Sequence, residues 1–260
     1  MQIITIGSGS DAGTPRIGCK CAGCRSRKPK DNRLRAALAL KKKDEHFIID
    51  IGPDFRQQVM RYGIDYNNIE ASVMTHAHND HCIGLWERSA LTMKQVRALT
   101  VYSHPQILDY YFNQNSSFYY LKSSGFVVPK EREPNKKIKT KNFSFHTFEV
   151  PHTPSFLGPT LGLSFENKKF VYIVEASKIT EAMKEEINGT HTLFMNGTFL
   201  KENLFSHISI KNSIPILNNL DVKKIYFIGL NHTEGTQEQV EKYLKPYGYK
   251  LAYDGMKIKV

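Results

Sequence analysis

Apolar residues in this chain come in short runs divided by polar or glycine-bearing breaks, the texture of strands more than of long helices. In the first half, "QIITIG" (2–7), "AALAL" (36–40), "FIIDIG" (47–52), "ASVMT" (71–75) and "ALTVYS" (98–103) read as strands. In the second half come "FSFHTFEV" (143–150), "TLGLSFE" (160–166), "KFVYIVE" (169–175), "TLFMNG" (192–197), "KIYFIGL" (224–230) and "KLAYDGMKIKV" (250–260). Several end at Gly, Asn or Pro, as strands should. Segments 54–62, 104–113, 179–187, 207–219 and 236–245 read as helices between them. The last of these, "TEGTQEQVEKYLKP", opens on Thr with early glutamates and stops at Pro, which suits a capped helix. Early strands followed by alternating strands and helices predict an α/β fold, a layered sandwich with helices covering sheets. No repeat or low-complexity tract interrupts it, so 1–260 is expected to form one domain. Residues 114–142 are expected to be irregular, either a cover near a site or a plain surface excursion.

The length of 260 residues is enough to bury a substantial core. No apolar run reaches the roughly 18 residues that a membrane span needs. "MQIITIGSGS" lacks the charged and apolar regions of a secretory signal, so a cytoplasmic protein is expected. The formal charge of +11 gathers in "KKKDEH" (41–46) and "KEREPNKKIKTKNF" (130–143). Such a surplus attracts phosphate-bearing partners, or simply solvates loops. No basic helix with interleaved aromatics stands out, which makes nucleic acid the lesser partner.

Chemistry concentrates in "MTHAHNDHCIGL" (74–85), which packs His76, His78, Asp80 and His81 into six positions after an apolar strand. Groups at the carboxyl end of such a strand project from the sheet rim, where open α/β sheets place their sites. His76 and His78, two apart, face one side of an extended backbone and form one ligand set; Asp80 and His81 form another. Mixed imidazole and carboxylate donors suit zinc, manganese or iron more than calcium. Burying so many polar groups without a cation to satisfy them is costly. A second cluster, Cys19, Cys21 and Cys24 in "GCKCAGC", also reads as metal ligands, since three neighbouring cysteines do not pair off as disulfides. Cys82 reads as a small buried residue.

H-x-H-x-D-H after an apolar strand resembles the signature of the metallo-β-lactamase superfamily of metal-dependent hydrolases. "GSGSDAGTPRIGCKCAGC", "IIDIGPDFRQQ", "VPHTPSFLG", "FVYIVEAS" and "LAYDGMKI" occur in the order of one branch. That branch resembles the cyclic phosphodiesterase of the carbon–phosphorus lyase pathway and the B protein of pyrroloquinoline quinone biosynthesis. The resemblance implies a four-layer αβ/βα sandwich. It implies that His152 joins His76 and His78, and that Glu175 stands where the branch has a bridging aspartate. It implies that His207 is a proton donor or phosphate clamp. Gly229 falls where the last active-site histidine is expected, and His232 where the cysteine site takes its fourth ligand. Registering His232 to the active site instead would leave the cysteines a ligand short. A tetrahedral zinc bound by Cys19, Cys21, Cys24 and His232 would have no open position and be structural.

The function expected from this is a metal-dependent hydrolase, foremost a phosphodiesterase acting on a small cyclic or nucleotide-like phosphate. Asp80 and His207 are its candidate catalytic groups, and one or two zinc, manganese or iron ions its active-site cofactors. The alternative is a non-haem iron, oxygenase-like protein of peptide or quinone-cofactor maturation, or an impaired metal-binding relative. Expected partners are a small phosphate-bearing substrate or a peptide, and a second copy in a homodimer. Asp50 is either a turn former or an orienting partner of a ligand histidine. "GSGSDAG" is either a phosphate-binding turn or a tight hairpin. His46, His104, His146 and His191 are expected to be ordinary.

Overall fold

The computed structural model describes residues 1–90, 97–152, 158–204 and 206–260. In chain order the strands are β1 (Gln2–Gly7), β2 (Ala37–Lys42), β3 (Glu45–Ile49), β4 (Ile69–Val73), β5 (Leu99–Ser103) and β6 (Val127–Glu131). They continue with β7 (Ile138–Lys139), β8 (Ser144–Val150), β9 (Thr160–Phe165), β10 (Phe170–Ile173), β11 (Thr190–Asn196), β12 (Val222–Ile228), β13 (Lys250–Leu251) and β14 (Lys257–Lys259). One sheet runs β14-β1-β2-β3-β4-β5-β6 and the other β13-β12-β11-β10-β9-β8-β7. The helices are α1 (Ala22–Arg25), α2 (Phe55–Tyr62), α3 (Asn79–Cys82), α4 (Pro105–Asp109), α5 (Ser116–Ser123), α6 (Glu181–Ile187), α7 (Ile210–Leu217) and α8 (Gln237–Leu244).

Three apolar layers separate helix, sheet, sheet and helix, giving the four-layer α/β sandwich. Between the sheets, Phe47, Phe145, Phe165, Phe170 and Phe194 meet edge to face or stacked, with ring centroids 5.0–5.8 Å apart. Ile48, Phe55, Val59, Leu108 and Phe112 fill the layer outside the first sheet. Met183, Ile214, Leu217, Val240 and Leu244 fill the one outside the second. Alternate residues of one strand serve different layers: Phe170 and Tyr172 point between the sheets, Val171 and Ile173 toward the helices. Strands covered on both faces must be apolar on both, which is why these runs show no simple alternation.

Three sequence expectations are corrected. Residues 114–142 are not irregular: α5, β6 and β7 lie within them, and Phe118 and Leu121 of α5 are buried in the outer layer. Asn115 caps α5 by accepting from the backbone of Ser117 and Phe118, a helix start hidden among polar residues. The run 250–260 is not one strand. Leu251 pairs with Phe227 of the second sheet, and Lys257 with Ile4 of the first, so the intervening turn crosses between sheets. That turn needs Gly255, whose φ of +88° suits glycine. His207 also precedes α7 rather than belonging to it, and Ser209 caps that helix.

Candidate metal centre

β4 ends at Val73 and the chain then leaves the sheet through Thr75, His76 and His78 into the short helix α3. Asp50, at the end of β3, is fully buried and organises this exit. Its φ of +63° lies in the left-handed region that Asp tolerates better than most residues. Thr75 donates to it twice, from its backbone N–H at 2.8 Å and from Oγ1 at 3.0 Å. His81 Nδ1 donates to Asp50 Oδ2 at 2.9 Å.

These bonds fix the protons on two imidazoles. Thr75 Oγ1 spends its only proton on Asp50, so its 3.0 Å contact with His76 Nδ1 requires the histidine to donate. The lone pair of His76 is therefore on Nε2, which faces His78 Nδ1 at 3.0 Å. His81 keeps Nδ1–H on Asp50 and turns Nε2 toward Asp80 Oδ2 at 3.2 Å and Glu175 Oε1 at 3.7 Å. Across the cleft, His152 donates from Nδ1 to the Ser206 carbonyl at 2.9 Å, leaving Nε2 toward the cluster. Orienting a ligand imidazole through its other nitrogen is the usual support of a metal site.

Glu175 follows β10 and reaches into the middle. Its Oε2 lies 3.9 Å from His152 Nε2 and 2.8 Å from His207 Nδ1. The His207 proton is aligned on Asn196 Oδ1 at 3.2 Å, so the closer Glu175 contact acts through charge and not as a hydrogen bond. His152 Nε2 and Glu175 Oε2 are thus buried polar atoms without a hydrogen-bond partner. Donor atoms of His76, His78 and His152 lie within 4.8 Å of one another, as do those of His152, Glu175 and His207. Because His152 has one free nitrogen, it can serve only one of these groups at a time.

The charges call for a cation. Burial pushes the Glu175 carboxyl up, but His207 and His81 overcome it and hold it well below the ordinary range. Asp80 is likewise held low against burial, chiefly by His81. His81 is pulled well above its ordinary value by Asp80 and Asp50 despite burial, so a proton on it stands in as counter-charge. Burial and the neighbouring His81 keep His76 neutral, the form that ligates. Orphaned inward-facing donors around excess negative charge fit a bound metal.

Cys82 is fully buried, its Sγ 3.0 Å from the His76 carbonyl, and burial pushes its thiol up; it is packing rather than nucleophile. The amides of Ser8, Gly9, Ser10 and Gly13 in "GSGSDAG" all bond to backbone carbonyls, which leaves that turn none of these donors for a phosphate. Residues 153–157 of "VPHTPSFLG" lie outside the described residues. Sequence reasoning missed Thr75 and Asn196. Asn196 is fully buried at the end of β11; its Nδ2 donates to the Ile208 carbonyl, and its Oδ1 accepts from Thr198 and His207. The one signal was an amide closing the apolar run "TLFM".

The structure brings Cys19, Cys21, Cys24 and His232 together, their donor atoms within 4.8 Å of one another. His232 Nδ1 is 3.4 Å from Cys19 Sγ and 3.5 Å from Cys21 Sγ. Two ligands of one tetrahedral zinc stand about 3.6 Å apart given the usual Zn–N and Zn–S lengths. His232 is therefore placed with the cysteines and not in the histidine cluster. Gly23 permits this: a Cβ there would meet the His232 carbonyl at 2.8 Å. Gly229, at the end of β12, has φ +84° and only Thr198 Oγ1 and Val174 O near its missing Cβ, at 3.7 and 3.9 Å.

Residues 45–229 match the family described as the beta-lactamase superfamily domain. The chain belongs to the beta-lactamase superfamily. Among curated relatives of this superfamily member, the octanoyltransferase of Porphyromonas gingivalis is 26% identical over 264 residues, covering 98% of this chain but 51% of that protein. The chain thus spans about half the length of that relative. Coenzyme PQQ synthesis protein B of Bradyrhizobium diazoefficiens is 23% identical over 312 residues, covering 99% of each chain. Among solved structures, a diphosphatase from the PhnP family superposes with a TM-score of 0.86 at 28% identity, covering 100% of this chain and 97% of that one. Zn(2+)-bound PqqB from Methylobacterium extorquens superposes with a TM-score of 0.87 at 21% identity, covering 100% of both, and shares the fold. No helix among the described residues is long and apolar enough to cross a membrane.

Proposed function

We propose that this superfamily member is a metal-dependent phosphodiesterase acting on a small phosphate diester or diphosphate. In this reading His76, His78 and His152 hold one metal, and Asp80, His81 and Glu175 hold a second. Bound there, the metals would polarise a phosphoryl oxygen and lower the pKa of a water toward neutrality. The observation that carries the reading is the pair of buried, unpartnered atoms, His152 Nε2 and Glu175 Oε2, between two histidine groups from opposite sheets. The likeness to the PhnP-family diphosphatase supports the choice of phosphorus over carbon centres.

The chain's own groups have distinct tasks. Asp50 holds His81 directly and His76 through Thr75, so the ligand lone pairs are aimed before any metal arrives. Asn196 and Glu175 both face His207 Nδ1, which keeps a proton there. A charged His207 then gives its Nε2 proton to the leaving oxygen, as a general acid. In this reading Glu175 is shared between metal and acid, and its extra methylene relative to Asp provides the reach. Cys19, Cys21, Cys24 and His232 hold a closed zinc with no part in the reaction.

The test is hydrolysis of bis(p-nitrophenyl) phosphate and 2′,3′-cyclic nucleotides by protein loaded with zinc, manganese or iron. Turnover that disappears in His76→Ala is expected; no turnover with any of these metals overturns the proposal. The second reading, a role in quinone-cofactor or peptide maturation, draws on the 23% identity with coenzyme PQQ synthesis protein B along the whole chain. Oxygen uptake by the ferrous protein in the presence of a candidate peptide would support it instead. The absence of a donor side chain at Gly229 favours a third, impaired metal holder. Metal analysis that finds the cysteine-bound zinc alone would support that one.

A further inference from the structure

From the surface we infer that the open edge of the sandwich, along β13 and β14, binds single-stranded nucleic acid. The inference does not depend on the reaction at the histidine cluster. Edge strands β13 and β14 end the two sheets on the same side of the molecule. Between them, α8 and the segment just after the cysteine clip lies a cleft of about 1240 Å³. Small-molecule pockets run to roughly 1,000 Å³, and this groove is larger, at about 1240 Å³. A second cleft, of about 650 Å³, adjoins the far end of β14 at Lys259 and Val260. The two clefts reach β14 at neighbouring residues, Lys257 and Ile258 in the first and Lys259 and Val260 in the second.

The first cleft carries a surplus of positive charge. Lys30, Lys242, Lys245, Lys250 and Lys257 line the first cleft, and none of them forms an ion pair among the described residues. Asp31, Glu238 and Glu241 share the cleft with Lys28 and these lysines, which outnumber them and leave it net positive. Glu238 holds Lys28 at 2.5 Å, Glu241 accepts from Gln237 Nε2 at 2.9 Å, and buried Asp31 accepts from Ser26 and the Gln237 backbone. In the second cleft, Lys41, Lys43 and Lys259 are likewise without ion pairs among the described residues. Lys257 and Lys259 lie exposed on either side of Ile258, itself turned into the core. They repeat at about 7 Å along the edge by strand geometry.

Lysines on an edge strand also guard against strand addition. Guarding needs neither a concave groove nor aromatic walls, and this groove has both. Partly exposed Tyr249 and Tyr253 line it, and the Lys30 ammonium sits 4.3 Å from the Tyr253 ring centroid. Lys30 lies over the Tyr253 ring, which packs against the inter-sheet core, so Tyr249 is the aromatic wall left for a base beside the lysines, the combination by which single strands are bound. A second copy of this chain is a poor occupant, because a two-fold contact would set these lysines against themselves.

The test is fluorescence anisotropy of a labelled 20-mer oligouridylate on the full chain across a salt series. Neutralising about five phosphates predicts a slope near −3.5 in log affinity against log salt, or about a hundredfold loss from 50 to 200 mM. The double variant Lys250→Glu/Lys257→Glu is expected to weaken binding at least tenfold and flatten the slope. The equal charge change Lys136→Glu/Lys137→Glu, outside both clefts, is expected to stay within threefold. Tyr249→Ala is expected to weaken the oligomer at least fivefold while leaving inorganic polyphosphate unaffected. Equal losses in both double variants would reduce the effect to net charge and overturn the inference. So would indifference of the oligomer to Tyr249→Ala, or tighter binding of polyglutamate or of phosphatidylserine vesicles. Circular dichroism confirms that each variant is folded before its affinity is read.

Discussion

Asp50 shows how much one buried carboxylate decides. Through two oxygens it takes the Thr75 amide, the Thr75 hydroxyl and His81 Nδ1–H, and so sets the proton positions of His76 and His81 together. Asn in its place keeps the size but loses an acceptor and a charge. Asp50→Asn is expected to weaken zinc binding at the histidine cluster by about 10- to 100-fold, measured by calorimetric titration, with the circular dichroism unchanged. From sequence, Asp50 could be a turn former or an orienting residue; its left-handed φ and its three hydrogen bonds make it both. Thr75 and Asn196 gave almost no warning, because their roles come from neighbours that are distant along the chain.

At the scale of elements, α3 carries Asp80 and His81 only because it lies against the turn after β3. The Ile51 amide donates to the His81 carbonyl and the Gly84 amide to the Ile51 carbonyl, at 2.7 and 3.0 Å. Gly52 makes that approach possible: a Cβ there would stand 2.0 Å from the Asp80 carbonyl oxygen, a backbone atom with nowhere to go. Gly52→Ala is expected to cost about 3 kcal/mol in urea denaturation and to displace the metal ligands. Gly63→Ala, at φ +61° with nothing within 4 Å of its Cβ, carries only left-handed strain and is expected to cost about 1 kcal/mol. Local pattern gave the strands and most helices, since burial on two faces writes itself into apolar runs. It failed at 114–142, where polar surface residues disguise α5, and at 250–260, where two short strands of different sheets meet at a turn.

At the scale of the molecule, the N-terminal segment is tied to the C-terminal end by the β1–β14 pairing and by side-chain devices, of which two make predictions. The first is the cysteine clip, which joins positions 213 apart in Cys19 and His232. Stripping its metal with a chelator, or Cys24→Ser, is expected to lower the melting temperature by about 10 °C in calorimetry. The second is Asp254, which takes the Ser8 hydroxyl at 2.6 Å and the Leu34 amide at 2.7 Å. Burial pushes its carboxyl up to about 6, against the pull of Leu34, Ser8, Arg33 and Arg61. A raised acid pKa means the folded state holds the proton more tightly than the unfolded one. Stability from this group is present below about pH 4 and is lost as pH rises to about 6, roughly 3 kcal/mol in all. The unfolding free energy of the native protein relative to Asp254→Asn should therefore fall between pH 4 and 6, and a flat difference would refute it.

By itself the sequence determined which residues could ligate and which runs would be strands. The spacing of His76, His78, Asp80 and His81, and of the three cysteines, is fixed covalently and survives any fold. Only the tertiary structure decided which distant groups complete each set. It brought His152, Glu175 and His207 to the hexapeptide, gave His232 to the cysteines, and set Asn196 behind His207. Those meetings depend on strand order and register across two sheets, and these follow from packing summed over the whole core, which no short stretch of chain encodes.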